Sequence, residues 1–180
     1  MAIAKSVQSL RMFLSENSNQ RPIYMTSGGF DPLHVGHVRC INGTVTKARN
    51  KDIHPWEMQG LVVVVVNADS FLKRKKGYAF MPLKERMEII DSIEGVDFVV
   101  PWETDGDQTV CKAIEILKPN YFTKGGDRFD ASTIPEWAIC QKINCEIITG
   151  VGKGGKIQSS SELIERARKF ELEEANIGYT

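Results

Sequence analysis

Only three histidines occur among the 180 residues, and two of them, His34 and His37, stand three positions apart just behind Gly28, Gly29 and Asp31. The apolar run Ile23-Tyr24-Met25 ahead of them predicts a strand ending near Ser27. The residues from Val38 on predict a helix, so the pair falls at a helix start. The first N–H groups of a helix lack intrahelical partners and its dipole is positive there, which makes such a turn a seat for an anion such as phosphate. Residues three apart share a helical face, so both imidazoles could reach one phosphate. Gly28 and Gly29 would let the backbone approach a ligand closely, and Gly36 would leave room for it. With Cys40 three positions on, the pair also has a metal-binding spacing, but no further ligand cluster accompanies it and the two glycines would go unexplained.

Three other segments could meet the same ligand. Lys73, Arg74, Lys75 and Lys76, followed by Gly77, form the densest basic run; such a run is ordinarily a solvated face, yet this one lies just beyond a strand. In Lys124-Gly125-Gly126-Asp127 the glycines allow backbone contact with a base or ribose, or mark a tight turn. Ser159, Ser160 and Ser161 open the last helix, where hydroxyls grip phosphate or simply cap. The run from Gly150 to Gly155 has neither Walker nor dinucleotide spacing and reads as a flexible lead-in carrying Lys153, with Lys156 just after it.

Alternating elements must position these residues. An amphipathic helix is predicted over Ile3 to Leu14, then strands over Ile23–Thr26, Leu61–Val66, Val96–Val100, Tyr121–Thr123 and Glu146–Thr149. Helices are predicted over Val38–Lys51, Pro82–Ser92, Asp107–Leu117, Ile134–Lys142 and Ser159–Phe170, with a loop from Asp52 to Gly60. Five consecutive valines without alternation belong at the centre of a parallel sheet covered on both faces. The expectation is an α/β fold with a single-domain, doubly wound, five-stranded parallel sheet, whose ligands bind beyond the carboxyl ends of the strands. Its expected organisation is an N-terminal helix over residues 1–20, the domain over 21–170 and a tail over 171–180.

The segment GGFDPLHVGH resembles the His-x-Gly-His signature of the nucleotidyltransferase superfamily that includes cytidylyltransferases, phosphopantetheine adenylyltransferase and the adenylyltransferase domain of bifunctional ADP-heptose synthases. NADSFLKRKKG from Asn67, PLKERMEIIDSIEGVDFVV from Pro82, LKPNYFTKGGDRFD from Leu117 and IQSSSELI from Ile157 follow in the order and approximate spacing of the last of these, so the resemblance runs from about Tyr24 to Arg168. It implies a Rossmann-like nucleotidyltransferase fold. It also implies a reaction in which a phosphate oxygen of an acceptor attacks the α-phosphorus of a nucleoside triphosphate and pyrophosphate leaves. Catalysis is then positioning and charge stabilisation.

On the signature positions, His34 and His37 would donate to the triphosphate, and Lys73 and Lys76 would hold the acceptor phosphate and the polyphosphate. Nucleotide contacts would fall to Ser27, Gly28, Gly29, Gly36, Lys124, Gly125, Gly126, Asp127 and Ser159 to Ser161. Asp31 would orient the turn and Phe30 pack near the nucleotide, or both only shape the loop. Arg86 matches an arginine opening the family's third helix, and is either phosphate-binding or a plain helix-surface residue. Magnesium would accompany ATP, with no carboxylate cluster to hold it alone.

Lys-Gly-Gly-Asp, and Gly-Lys-Ile-Gln-Ser-Ser-Ser in place of the Arg-Thr-Glu-Gly-Ile-Ser-Thr of glycerol phosphate and choline phosphate cytidylyltransferases, favour ATP and a phosphorylated small-molecule acceptor such as a sugar 1-phosphate. The alternatives are a cytidylyltransferase acting on an alcohol phosphate and a non-catalytic nucleotide-binding module. Relatives are often homodimers. Twenty-three basic residues balance twenty-three acidic ones, which argues against a nucleic-acid partner. The longest apolar run, six residues from Leu61 to Val66, excludes a membrane helix. Four cysteines without a Cys-x-x-Cys pair, and an N-terminus without a signal-peptide core, predict a reduced cytoplasmic setting.

Overall fold

The computed structural model describes residues 2–103, 106, 109–126, 130–152 and 159–176. Its strands are β1 (Ala2–Ile3), β2 (Ile23–Gly28), β3 (Leu61–Asn67), β4 (Phe98–Trp102), β5 (Tyr121–Gly125) and β6 (Glu146–Val151), all parallel in the order β1-β4-β3-β2-β5-β6. The helices are α1 (Val7–Asn17), α2 (Val35–Ala48), α3 (Asp69–Lys76), α4 (Leu83–Asp91), α5 (Cys111–Leu117), α6 (Trp137–Lys142) and α7 (Ser160–Asn176).

The valine run of β3 lies inside the sheet and its side chains divide by parity. Val63 and Val65 join Val7, Leu10, Leu14 and Ile114 in one core, whereas Val62, Val64 and Val66 join Ile41, Met87 and Ile90 in the other. Period-two alternation with both faces covered accounts for the unbroken apolar sequence. From β2 the chain builds outward through β3 to β4, then returns to the other side of β2 with β5 and β6. The direction of winding therefore reverses at β2, and the crevice for a ligand lies beyond its carboxyl end.

The five expected strands are present, and a sixth is added. Ile3, counted with the first helix, instead pairs beside Val99 in the two-residue β1, and α1 begins at Val7 because the Ser6 side chain caps the Ser9 N–H. Val7, Leu10 and Leu14 are buried, so the N-terminal helix is part of the core. The last helix continues to Asn176, through the segment read as the start of a tail. Pro101 is tolerated inside β4 because β1 pairs only with Phe98 and Val99, leaving the outer edge free at the proline. The basic run beyond β3 is helical. Residues 69–76 form α3, with Asp69 in the first turn and Gly77 at φ 86° closing it.

Candidate functional site

β2 runs out at Gly28, at the point where the winding reverses, and α2 starts seven residues later. His34 is the N-cap: its Nδ1 accepts the Gly36 N–H at 3.1 Å, while its own N–H donates to Nδ1 of His37 at 3.3 Å. An imidazole accepting at Nδ1 carries its proton on Nε2 if it is neutral. Burial, then His34 and Lys76, push His37 down to about 4, and burial lowers His34. Two neutral rings bearing Nε2–H donors are thus stacked 3.7 Å apart at the positive end of a helix. A Cβ on Gly36 would lie 3.0 Å from the His34 ring, so this glycine makes room for the capping imidazole.

The helix that carries the pair is fixed from below. Thr44 on α2 shares a 2.7 Å hydroxyl contact with Thr123 on β5, and Thr26 on β2 donates to the Thr123 carbonyl at 3.2 Å. Cys40, the third group of the metal spacing, is turned against the sheet, with its sulfur 3.8 Å from the Thr26 hydroxyl. Phe30 sits at φ 51°, buried, with its ring edge-on to His37 at 5.2 Å. A Cβ on Gly28 would stand 3.1 Å from that ring. The Phe30 ring therefore packs inside the turn, against His37 and Gly28.

Asp31 and Arg86 are both buried. The Asp31 carboxylate accepts from the Phe80 and Met81 N–H groups at 2.8 and 2.6 Å and pairs with Lys76 at 2.9 Å. Burial works to raise this acid, but Lys76 and the two N–H groups outweigh it and hold the carboxyl below its usual range. Lys76 also donates to the Asp31 carbonyl at 2.8 Å, so it braces the turn instead of offering a free ammonium to phosphate. Lys73, one turn earlier on α3, is exposed. Arg86 is neither a helix-surface residue nor a phosphate ligand. Its guanidinium has no exposed surface and donates to the carbonyls of Gly29, Asn67 and Met81 and to the Asp69 carboxylate.

On the other side of β2, Lys124 pairs with Glu136 at 3.2 Å. Glu136 is buried with its second oxygen unpartnered. No sequence signal marked it, because it acquires its role only when the segment after β5 folds back. A Cβ on Gly125 would meet the Cys40 sulfur at 2.8 Å, so that glycine permits close helix–strand packing, whereas Gly126, at φ 87°, faces open space. Ser159 caps α7 by accepting the Glu162 N–H at 3.2 Å. Ser160 donates to the Pro32 carbonyl at 3.0 Å and so brings the start of α7 to the histidine turn, while Ser161 is exposed. Ser27 is half-buried in β2. Asp127, Lys153 and Lys156 lie outside the described residues. A groove of about 670 Å³ opens between α2 and the end of β6, lined by Arg39, Asn42, Thr46, Lys47, Ile148 and Val151 among others.

A parallel sheet wound in both directions from β2, with a glycine-histidine turn at the switch point, defines a Rossmann-like domain of the nucleotidyltransferase type. Residues 25–166 match the family model described as cytidylyltransferase-like, and the chain belongs to that family. It is 29% identical over 180 residues to the bifunctional protein HldE of Hahella chejuensis, covering 94% of this chain and 32% of that one. With the bifunctional protein HldE of Geotalea uraniireducens the identity is 32% over 169 residues, covering 89% and 30%. The chain thus spans about a third of the length of these curated relatives.

Among solved structures, it resembles the lipopolysaccharide core biosynthesis protein from Thermoplasma volcanium, with TM-score 0.55, 23% identity, and coverage of 74% of this chain and 98% of that one. A pantoate-beta-alanine ligase from Francisella tularensis aligns with TM-score 0.59 and 16% identity over 94% and 77% of the two chains. These two likenesses bear on the fold. Among the described residues no helix is long and apolar enough to cross a membrane.

Proposed function

We propose that the protein transfers AMP from ATP to a phosphorylated small molecule, a sugar 1-phosphate, with release of pyrophosphate. The observation that carries this reading is the pair of neutral histidines whose Nδ1 atoms are occupied by backbone N–H groups. Such rings can only donate at Nε2, which suits oxygens on which negative charge accumulates. They need not act as bases, because a phosphate acceptor is already an anion. The nucleoside end lies toward β5 and β6, a reading supported by the turn at Gly125-Gly126 and the groove beside α2. Lys124, held by Glu136, and the serines at the start of α7 supply further contacts to the nucleotide, and Lys73 supplies charge for the acceptor.

Among the described residues no three His, Cys, Asp or Glu side chains form a metal cluster. The hydroxyl, ammonium and imidazole groups around the turn suit phosphate oxygens, and magnesium would enter on the triphosphate with its water shell. ATP is favoured over CTP by the Lys124-Gly-Gly-Asp127 segment, and a sugar phosphate by the similarity of the whole motif series to ADP-heptose synthases.

The test is pyrophosphate release from ATP and from CTP, with magnesium, against sugar 1-phosphates, glycerol 3-phosphate and phosphocholine. Release with ATP and a sugar 1-phosphate is expected. Preference for CTP with an alcohol phosphate would reassign the substrate, and nucleotide binding without release from any acceptor would point to a binding module.

A further inference from the structure

The loop over residues 77–82, between α3 and α4, is held by two buried charges. Asp31 takes the N–H groups of Phe80 and Met81, and Arg86 donates to the Met81 carbonyl at 2.9 Å. Neither the Asp31 nor the Arg86 side chain has any exposed surface. Desolvating ions is costly and is tolerated where the hydrogen bonds they make are numerous and well placed. Here one of them fixes two consecutive residues and the other grips the second of these, Met81. What the fixed loop presents is the Phe80 ring, 61% exposed, with Tyr78 nearby under the Lys76 ammonium at 4.7 Å. Isolated phenylalanines are common on protein surfaces. This one is distinguished by its backbone, which is locked to the turn that carries the histidines.

Sheet order decides which substrate the ring can face. β2 has β5 and β6 on one side, with the Gly125-Gly126 turn and the groove along α2; on the other side stands β3, followed directly by α3 and the fixed loop. In nucleotidyl transfer the attacking and leaving oxygens lie in line across the phosphorus. That sets the acceptor opposite the leaving pyrophosphate, and with the nucleotide seated toward β5 and β6 the β3 side, where Lys73 is exposed, is left to the acceptor. A sugar ring has an apolar C–H face that packs on an aromatic ring while its hydroxyls keep their hydrogen bonds. We propose that Phe80 is a specificity-determining residue that stacks on the sugar ring of the phosphorylated acceptor. This rests on the transfer reaction proposed above.

Steady-state pyrophosphate release separates the possibilities, with sugar 1-phosphate varied at saturating ATP and ATP varied at saturating acceptor. An aromatic contact of this kind predicts that Phe80→Ala raises the acceptor KM by about tenfold, with the KM for ATP moving less than about twofold. Phe80→Tyr, which keeps the ring, should recover most of the loss, a result that a merely structural role would not give. A wild-type enzyme that turns over sugar 1-phosphate while Phe80→Ala leaves the acceptor KM unchanged overturns the inference and leaves the reaction standing. A rise in the KM for ATP instead would make the ring a base platform and also overturn it. Absence of release by the wild-type protein with every acceptor overturns the reaction and the inference together.

Discussion

Burial of His37 should make the stability of this fold sensitive to mild acid. An imidazole in an unfolded chain titrates near 6.5, and in the native turn His37 is held down to about 4, first by burial and then by His34 and Lys76. Between those values the unfolded chain binds a proton that the native state refuses. Stability from this residue is therefore complete above about pH 6.5 and is lost as the pH falls toward 4. A separation of that size corresponds to about 3 kcal/mol. Urea unfolding of the wild type and of His37→Gln, followed at several pH values, isolates the effect because the carboxylates titrate in both proteins. The stability of the wild type relative to the variant should fall by about 3 kcal/mol between roughly pH 7 and pH 4. Parallel pH curves would show that His37 titrates like a solvated imidazole, partly protonated near neutral pH, and the claim that burial holds the ring neutral would fail.

Three further substitutions have outcomes fixed by geometry. Asp31→Asn replaces two acceptor oxygens with one and removes the counter-ion of Lys76, so it should cost about 3 kcal/mol in denaturant titrations. Arg86→Met leaves the carbonyls of Gly29, Asn67 and Met81 without their donor. A loss of about 3–5 kcal/mol is expected, and a change under 1 kcal/mol in urea unfolding would mean the guanidinium network is weaker than its burial implies. Gly43→Ala should gain about 1 kcal/mol from helix propensity alone. Its Cβ would stand 2.8 Å from the Gly152 backbone nitrogen, however, so a net destabilisation is expected, and a raised Tm would refute the clash.

The sheet was legible because strands covered on both faces spell themselves out in β-branched runs, as Leu61 to Val66 does. Two elements were not. β1 is too short for any periodicity, and α3 hides its helical face under four consecutive cations, with only Phe71 and Leu72 buried. At the site, the type and spacing of His34 and His37 were enough to place them at a helix start. Their reciprocal capping was not visible, because it depends on where the N–H groups of residues 34 and 36 point. Arg86 was misjudged for a general reason: a charged residue on a helix defaults to the surface unless its partners are known. Its partners, Gly29, Asn67 and Asp69, come from 17 to 57 residues away. The pairing of Lys76 with Asp31, across 45 residues, escaped in the same way.

These long-range pairs divide the charges around the turn into two groups with different work. Asp31, Lys76 and Arg86 are spent on the protein itself: they bind backbone groups of Gly29, Asp31, Asn67, Phe80 and Met81 and hold the glycine turn against α3 and the loop after it. The groups left to face a ligand at the start of α2 are neutral imidazole donors, with the exposed Lys73 further out. In a reaction that moves charge onto leaving oxygens, a full positive charge beside the phosphorus would bind the resting triphosphate tightly and gain less in the transition state. Fixed neutral donors gain as the charge develops, and their orientation has already been set by the fold. A positive histidine pair would bind ATP more tightly, and the depression of His37 to about 4 excludes it at neutral pH. For the proposed transfer, burial of His37 is thus both the origin of the acid sensitivity and the means by which binding energy is reserved for the reacting state.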